Sequence, residues 1–239
     1  MEKYFIGIDS GTSGIKAVLF DLKGNELGQK SFPLKGIFPR EDMYEEDMLE
    51  IWDKAVKCVK AVTGAFPDKE VVGIGITAQG DGLWMVDENM EPVRNGCCFC
   101  DGRAAKIVDR WVEDGTCDKL FEITGTRIFT GNQNGIVKWM EEHEPENLNR
   151  SRWLLHLKDY LFYRFTGKIT TDATDQSLIF LDQNKRDYLD ETFKICEIEK
   201  YKDKYPPVLS AKENAFPVQK ELAKELGLGE NVIVTSGPM

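Results

Sequence analysis

Along the chain, the pattern of apolar and polar positions opens on strands. A short apolar run from Tyr4 to Asp9 ends in an acid, and Gly11-Thr12-Ser13-Gly14 follows as a turn. Ile15 to Asp21 reads as a second strand, and Lys23-Gly24-Asn25 turns the chain into a third, Glu26 to Phe32, so two hairpins begin the protein. From Glu46 to Val62 the period changes: Met48, Ile51, Trp52, Ala55, Val56, Val59 and Val62 recur every three or four residues, the spacing of an amphipathic helix that stops near Gly64 and Pro67. Val71 to Thr77 then reads as a buried strand. Leu83 to Val86 is expected to form a hairpin with the region around Pro92 through Asp87-Glu88-Asn89.

The later segments carry mainly helical spacing: Gly102 to Val112, Asp118 to Thr124, Asn134 to His143, Trp153 to Thr166 with Gly167 as a C-terminal stop, and Lys220 to Leu226. A β-branched run from Asn231 to Thr235 leads into Ser236-Gly237-Pro238-Met239, a strand entering a turn, which is an odd place for a natural terminus. Strand, strand, strand, helix, strand, followed by helices, predicts a mixed α/β fold. No repeat and no low-complexity segment interrupts it.

Composition narrows the function classes. Hydrophobic residues at 41% and charged residues at 30% describe an ordinary globular chain of 239 residues. The net charge of −10, with no basic cluster, argues against nucleic acid as a partner. No apolar run approaches the roughly 18 residues that a membrane span needs, and the start lacks a basic segment followed by an apolar one, so a cytoplasmic location is the default expectation. Six cysteines are too sparse for a disulfide scaffold. Cys97 and Cys100 have C-x-x-C spacing, but a zinc site wants a second matching pair, and only isolated Cys117, His143 and His156 lie downstream. Reduced, buried thiols are expected.

The sharpest chemical feature is Asp9-Ser10-Gly11-Thr12-Ser13-Gly14-Ile15-Lys16, set between two strands. Its glycines let backbone N–H groups approach a phosphate, Thr12 and Ser13 offer hydroxyls, Lys16 supplies positive charge, and Asp9 can hold hydrated magnesium. A plain tight hairpin accounts for the same residues. No G-x-G-x-x-G opens a helix and no Walker A loop is present, which removes those nucleotide-binding alternatives.

With this opening stand Ile74-Gly75-Ile76-Thr77-Ala78-Gln79-Gly80-Asp81-Gly82, Phe99-Cys100-Asp101-Gly102-Arg103, Lys138-Trp139, His143-Glu144-Pro145, Leu157-Lys158-Asp159-Tyr160-Leu161, Thr166-Gly167 and Thr171-Asp172. In this combination the whole chain resembles the FGGY carbohydrate kinases. The resemblance implies a ribonuclease H-like α/β domain of the actin and hexokinase superfamily, with a mixed sheet flanked by helices. It also implies a second, similar domain absent from residues 1–239, with ATP, Mg²⁺ and a sugar or polyol bound in the cleft between the two.

The resemblance places Asp9, Gly11, Thr12, Ser13 and Lys16 on the nucleotide phosphates, with Asp9 facing the metal, and sets Gln79, Gly80, Asp81, Phe99, Asp101 and Arg103 about the substrate. Asp81 could accept two adjacent hydroxyls, or be a solvated Asp between glycines. Phe99 falls where glycerol kinases of this family place a Trp, though a core Phe fits as well. Asp101 and Arg103 could pair with each other, bind hydroxyls or cap a helix. Xylulose kinases have Met-His after the Gln where this chain has Gly80-Asp81, so the Ala-Gln-Gly-Asp-Gly-Leu-Trp form looks more like the branch acting on erythritol or L-xylulose-type substrates. The family's general base, an Asp, is expected just beyond Met239, so these residues alone should turn over negligibly. A homodimer stays open as an assembly. Two other functions remain open: a non-catalytic sugar-sensing module, and a phosphatase or ATPase of the wider superfamily.

Overall fold

The computed structural model describes residues 2–176, 180–182 and 184–236. In chain order, strands β1 (Lys3–Gly11), β2 (Gly14–Asp21), β3 (Glu26–Pro33) and the short β4 (Glu45–Glu46) precede helix α1 (Met48–Ala65) and β5 (Glu70–Ala78). Next come β6 (Trp84–Val86), β7 (Gly96–Cys97), α2 (Ala105–Glu113), α3 (Thr116–Thr124), α4 (Gln133–His143) and α5 (Pro145–Arg150). Then follow β8 (Trp153–Leu155), α6 (Leu157–Thr166), β9 (Thr171–Asp172), α7 (Ala173–Gln176), β10 (Leu181–Asp182), β11 (Asp187–Tyr188) and α8 (Asp190–Ile195). A 3₁₀ turn (Glu199–Lys204), β12 (Val208–Leu209), β13 (Ala215–Pro217), α9 (Lys220–Glu225) and β14 (Ile233–Ser236) complete the order.

Six strands form the main sheet in the order β13-β14-β5-β1-β2-β3. β1, β5 and β14 run parallel, while β2, β3 and β13 are antiparallel to their neighbours, so the sheet is mixed as expected. The two opening hairpins are those read from the sequence. On β1 the period of two sends Tyr4, Ile6, Ile8 and Ser10 into the core and leaves Phe5, Gly7 and Asp9 on the other face. The core face is covered by α1, which packs on β2 and β3, and by α6, which packs on β5 and β14. Asp47 caps α1 by accepting from the N–H groups of Leu49 (2.8 Å) and Glu50 (3.2 Å). α6 ends at Gly167, whose φ of 71° is the left-handed conformation that glycine adopts without strain.

A second cluster, with Leu83, Met85, Trp111, Ile136, Met140, Leu154 and Phe193 among its members, fills the space among α2, α3, α4 and α8. Here the helical reading is corrected. Trp153–Leu155 is a strand, and it pairs antiparallel with β6. A three-residue buried apolar segment satisfies either period, and the cross-strand partner decides. The 83–93 hairpin is present as well, with Val86 bridged to Pro92 and Val93 N–H donating to the Met85 carbonyl. Glu46, expected to open the first helix, ends β4 instead, because Asp47 is the cap. Gly237 to Met239 of the expected terminal turn lie outside the described residues.

Two glycines predict opposite outcomes. A Cβ on Gly96 would sit 2.0 Å from the completely buried Trp84 ring, whereas one on Gly64, inside α1, meets nothing within 4 Å. Gly96→Ala is expected to cost at least roughly 1–3 kcal/mol of unfolding free energy, and Gly64→Ala to add about 0.5–1 kcal/mol, both read by urea denaturation.

Candidate active site

The parallel strands β1 and β5 end side by side, and the turns leaving them are joined: the Gln79 N–H donates to the Ser10 carbonyl at 2.8 Å. Ligands of open α/β sheets collect beyond the carboxyl ends of parallel strands, and both predicted motifs lie there.

On the first turn, Asp9 and Lys16 are cross-strand partners whose side chains meet at 3.2 Å and remain about half exposed, 44% and 50%. An exposed pair is worth at most about 1 kcal/mol, so either charge can be redirected to a ligand at little cost. Gly14 sits close under β3, where a Cβ would lie 3.0 Å from the Phe32 carbonyl oxygen, a tight contact. The Ser13 carbonyl accepts from Leu34 N–H. Thr12 donates its hydroxyl to Gln79 Oε1 at 3.3 Å, which links the first turn to the second. An accessible carboxylate beside a half-exposed ammonium and a glycine-lined turn fits a hydrated divalent ion carrying phosphates.

On the second turn, Gln79 Nε2 donates to Glu46 at 2.8 Å. Asp81 has φ of 54°, unusual for a residue with a side chain, and Gly82 follows at 76°. The strain is held by Gly82 N–H donating to the Gly131 carbonyl and by Asn132 Nδ2 donating to Asp81 Oδ1 at 2.6 Å. Asp81 is therefore not a solvated loop acid. It is buried, and that burial raises its carboxyl above the usual carboxylate range. Phe99 is 40% exposed, not a core Phe, and its backbone lies against Gly82 and Gly131, where an added Cβ would fall 3.3 Å from its N and 1.6 Å from its carbonyl oxygen.

Asp101 and Arg103 behave differently. Arg103 Nε donates to Asp101 Oδ1 at 2.7 Å and Nη2 to Asp101 Oδ2 at 2.9 Å and Glu45 Oε1 at 2.6 Å, all with buried side chains. Asp101 also accepts from Tyr44 N–H at 2.7 Å, and Arg94 joins Glu45 to Glu144. Of the roles set out for these two residues, the geometry shows the pairing: both oxygens of Asp101 are engaged by the scaffold, while Arg103 Nη1 is buried without a hydrogen-bond partner among the described residues. Gly80 is half-buried between the two turns.

The cysteines are unpaired: Cys58, Cys97, Cys98 and Cys196 are buried as expected, Cys117 is half-buried, and Cys100 is exposed. Sequence reading missed two groups. Asn132 carries no motif, and only the packed fold shows that it holds Asp81. Beneath Asp81, His156, Asp159 and Asp175 converge in a buried group with ligand atoms within 4.8 Å of one another, the one such group of His, Cys, Asp and Glu among the described residues. Lys158 already supplies a cation there, 2.7 Å from Asp172 and 3.1 Å from Asp175. Burial drives the Asp159 carboxyl well above its ordinary range, while Lys158 holds Asp172 and Asp175 as an ammonium partner.

Residues 4–239 match the N-terminal domain of the FGGY family of carbohydrate kinases. The chain belongs to this family. It is 32% identical over 243 residues to an L-xylulose/3-keto-L-gulonate kinase of Escherichia coli (strain K12), covering 99% of this chain and 48% of that relative. It is 28% identical over 234 residues to an erythritol kinase of Brucella abortus (strain 2308), covering 97% of this chain and 45% of the relative. The fold matches a ligand-bound xylulose kinase of Lactobacillus acidophilus with a TM-score of 0.92 at 24% identity, over 99% of this chain and 48% of that one. The FGGY chain thus has the actin- and hexokinase-like α/β fold that the motifs implied, and it spans about half the length of the curated relatives it matches. Among the described residues no helix is long and apolar enough to cross a membrane.

Two expectations follow for stability. Arg103→Ala leaves the buried Asp101 carboxylate without a cation and Glu45 with Arg94 alone, and is expected to cost roughly 3–5 kcal/mol by denaturant unfolding. Burial also pushes the Glu46 carboxyl from 4.5 up to about 7. The folded state then holds that proton more tightly than the unfolded chain, so Glu46 lowers stability progressively as pH rises from 4.5 to about 7, with no further change above. Glu46→Gln is expected to remove this slope and to be more stable at pH 8, by up to about 3 kcal/mol.

Proposed function

We propose that the protein carrying this chain transfers the terminal phosphoryl group of Mg-ATP to a hydroxyl of a small ketose or polyol, of the L-xylulose or erythritol kind. The observation that supports it best is the junction of the two turns at the ends of β1 and β5: an accessible charged turn suited to phosphates lies one hydrogen-bonded residue from a buried carboxylate suited to hydroxyls. The named relatives act on sugars and a polyol of this size.

In this proposal Asp9 holds the hydrated Mg²⁺, which neutralises charge on the transferring phosphates. Lys16, the hydroxyls of Thr12 and Ser13 and the N–H groups from Gly11 onward hold the phosphate oxygens. Asp81 accepts two adjacent substrate hydroxyls, with its carboxylate aimed by Asn132 and its backbone locked by Gly131. Gln79 and Gly80 form the floor between substrate and phosphate, and the exposed Phe99 ring supplies apolar contact to the carbon chain. The general base that takes the hydroxyl proton, and the second wall of the cleft, belong to the part of the relatives' length that this chain does not span. Location in the cytoplasm suits a metabolite kinase using cellular ATP, and no nucleic acid or lipid is required.

ADP release by the intact protein, measured with Mg-ATP against a panel of ketoses, polyols and aldoses, is expected to depend on one panel member. Asp81→Ala should lower kcat/KM for that member by roughly a hundredfold or more, since a site built to bind hydroxyls loses most when its acceptor goes. ADP release indifferent to every sugar would instead mark an ATPase or phosphatase of the superfamily. ATP binding without any turnover would mark a sensing module, and unchanged activity in Asp9→Asn would remove Asp9 from the phosphate site.

A further inference from the structure

Behind the junction of the two turns lies an acid with no assigned role. Glu46 ends β4 and is completely buried. One of its oxygens accepts from Gln79 Nε2 at 2.8 Å, and the other, Oε1, meets no hydrogen-bond partner among the described residues. The ionisable groups acting on it are the Cys98 thiol and Glu50, itself tied to Lys54. Glu46 in turn acts on Tyr44 and on Cys100. Burial pushes the Cys98 thiol far up, so it does not ionise near neutrality. No cation among the described residues is paired with Glu46, and its burial costs most when it is charged.

The Gln79 amide has two ends, and both are engaged: Nε2 by Glu46 and Oε1 by the Thr12 hydroxyl. A carboxylate can only accept, so a charged Glu46 draws the amide NH₂ towards itself and turns the amide oxygen to Thr12. The Thr12 hydrogen is then spent on Gln79, and only its lone pairs face outward. A phosphate oxygen is also an acceptor and gains nothing from them. A protonated Glu46 can donate, which permits the amide to turn over: its oxygen faces Glu46 and its NH₂ faces Thr12. The Thr12 oxygen now accepts, and its own O–H is released to point at a phosphate oxygen, the stronger charge-assisted bond.

We propose that Glu46 is a positioning residue for phosphoryl transfer: through the Gln79 amide it decides whether the Thr12 hydroxyl offers the phosphate side a lone pair or a hydrogen. This rests on the reading that Thr12 meets the nucleotide phosphates. The hydrogen-bond logic has a thermodynamic consequence. If phosphate binding favours the protonated form of Glu46, protonation must favour phosphate binding by the same factor. Nucleotide affinity therefore falls as pH rises through the titration of this buried group, and binding takes up a proton.

The experiment is Mg-ATP binding by titration calorimetry on the intact protein across pH 6–8.5, comparing wild type with Glu46→Gln. ATP's own titration is common to both and cancels. Wild type is expected to lose about tenfold in affinity across this window relative to Glu46→Gln, the size of one hydrogen bond to a charged group, and to take up protons that the variant does not. Gln79→Met, which cuts the relay in its middle while leaving Glu46 in place, should flatten the same window and guards against a Glu46 variant that fails to fold. A wild-type profile retained in either variant overturns the proposal. Thr12→Val separates this from the underlying reading: weaker Mg-ATP binding, flat in the same window, supports both. Unchanged affinity at every pH removes Thr12 from the phosphates, and the proposal with it.

Discussion

The parallel pairing of β1 with β5 is the constraint on which the rest of the site depends. It carries an eight-residue register from Lys3 opposite Glu70 to Ser10 opposite Ala78, and Gln79 N–H bound to the Ser10 carbonyl extends it into the turns. Because the ladder fixes both strands along their length, the residues that follow each one leave the sheet within one hydrogen bond of each other. Parallel strands need a long crossover, and α1 supplies it, capped by Asp47 and packed on β2 and β3. Helix, ladder and turns thus set the backbones carrying Thr12, Gln79 and Asp81 beside one another.

Around that unit, charges are handled in two ways. The exposed pair Asp9 and Lys16 is loosely held and free to exchange one partner for another. The buried acids are either matched by cations, as Asp101 and Glu45 are by Arg103, or have their carboxyls raised by burial, as Glu46, Asp81 and Asp159 do. Burial of unpaired charge is costly, and these pairings and raised carboxyls are how the named acids meet that cost. The distinction separates an accessible charged pair from buried charges that hold the scaffold together, and Asp101 and Arg103 are paired within the second set.

Much of this was legible in the sequence. Asp9 to Lys16 announced itself as a turn between strands because glycines and hydroxyls cluster there, and the helix from Met48 onward showed in its three- and four-residue spacing. Gly167 was readable as a helix stop for the same local reason. Trp153–Leu155 was not readable as a strand, since three apolar residues fit both periods, and its partner β6 lies nearly seventy positions earlier. The short strands between Thr171 and Pro217 carry too few residues to show any period.

The sequence by itself determined the family, the order of the main elements and the residue types at the two turns, because these rest on local conformational preference and on motifs read along one strand of text. Only the tertiary structure decided what each polar residue does. Asp101 and Arg103 could by sequence pair with each other, bind hydroxyls or cap a helix, and folding set them against each other and Glu45. Asn132 and Glu46 looked like ordinary polar residues, until folding set one against Asp81 and the other against Gln79. The physical reason is that burial and hydrogen-bond partnership are properties of distant segments brought together, and no local pattern encodes which acid will meet an arginine, which a proton and which a ligand.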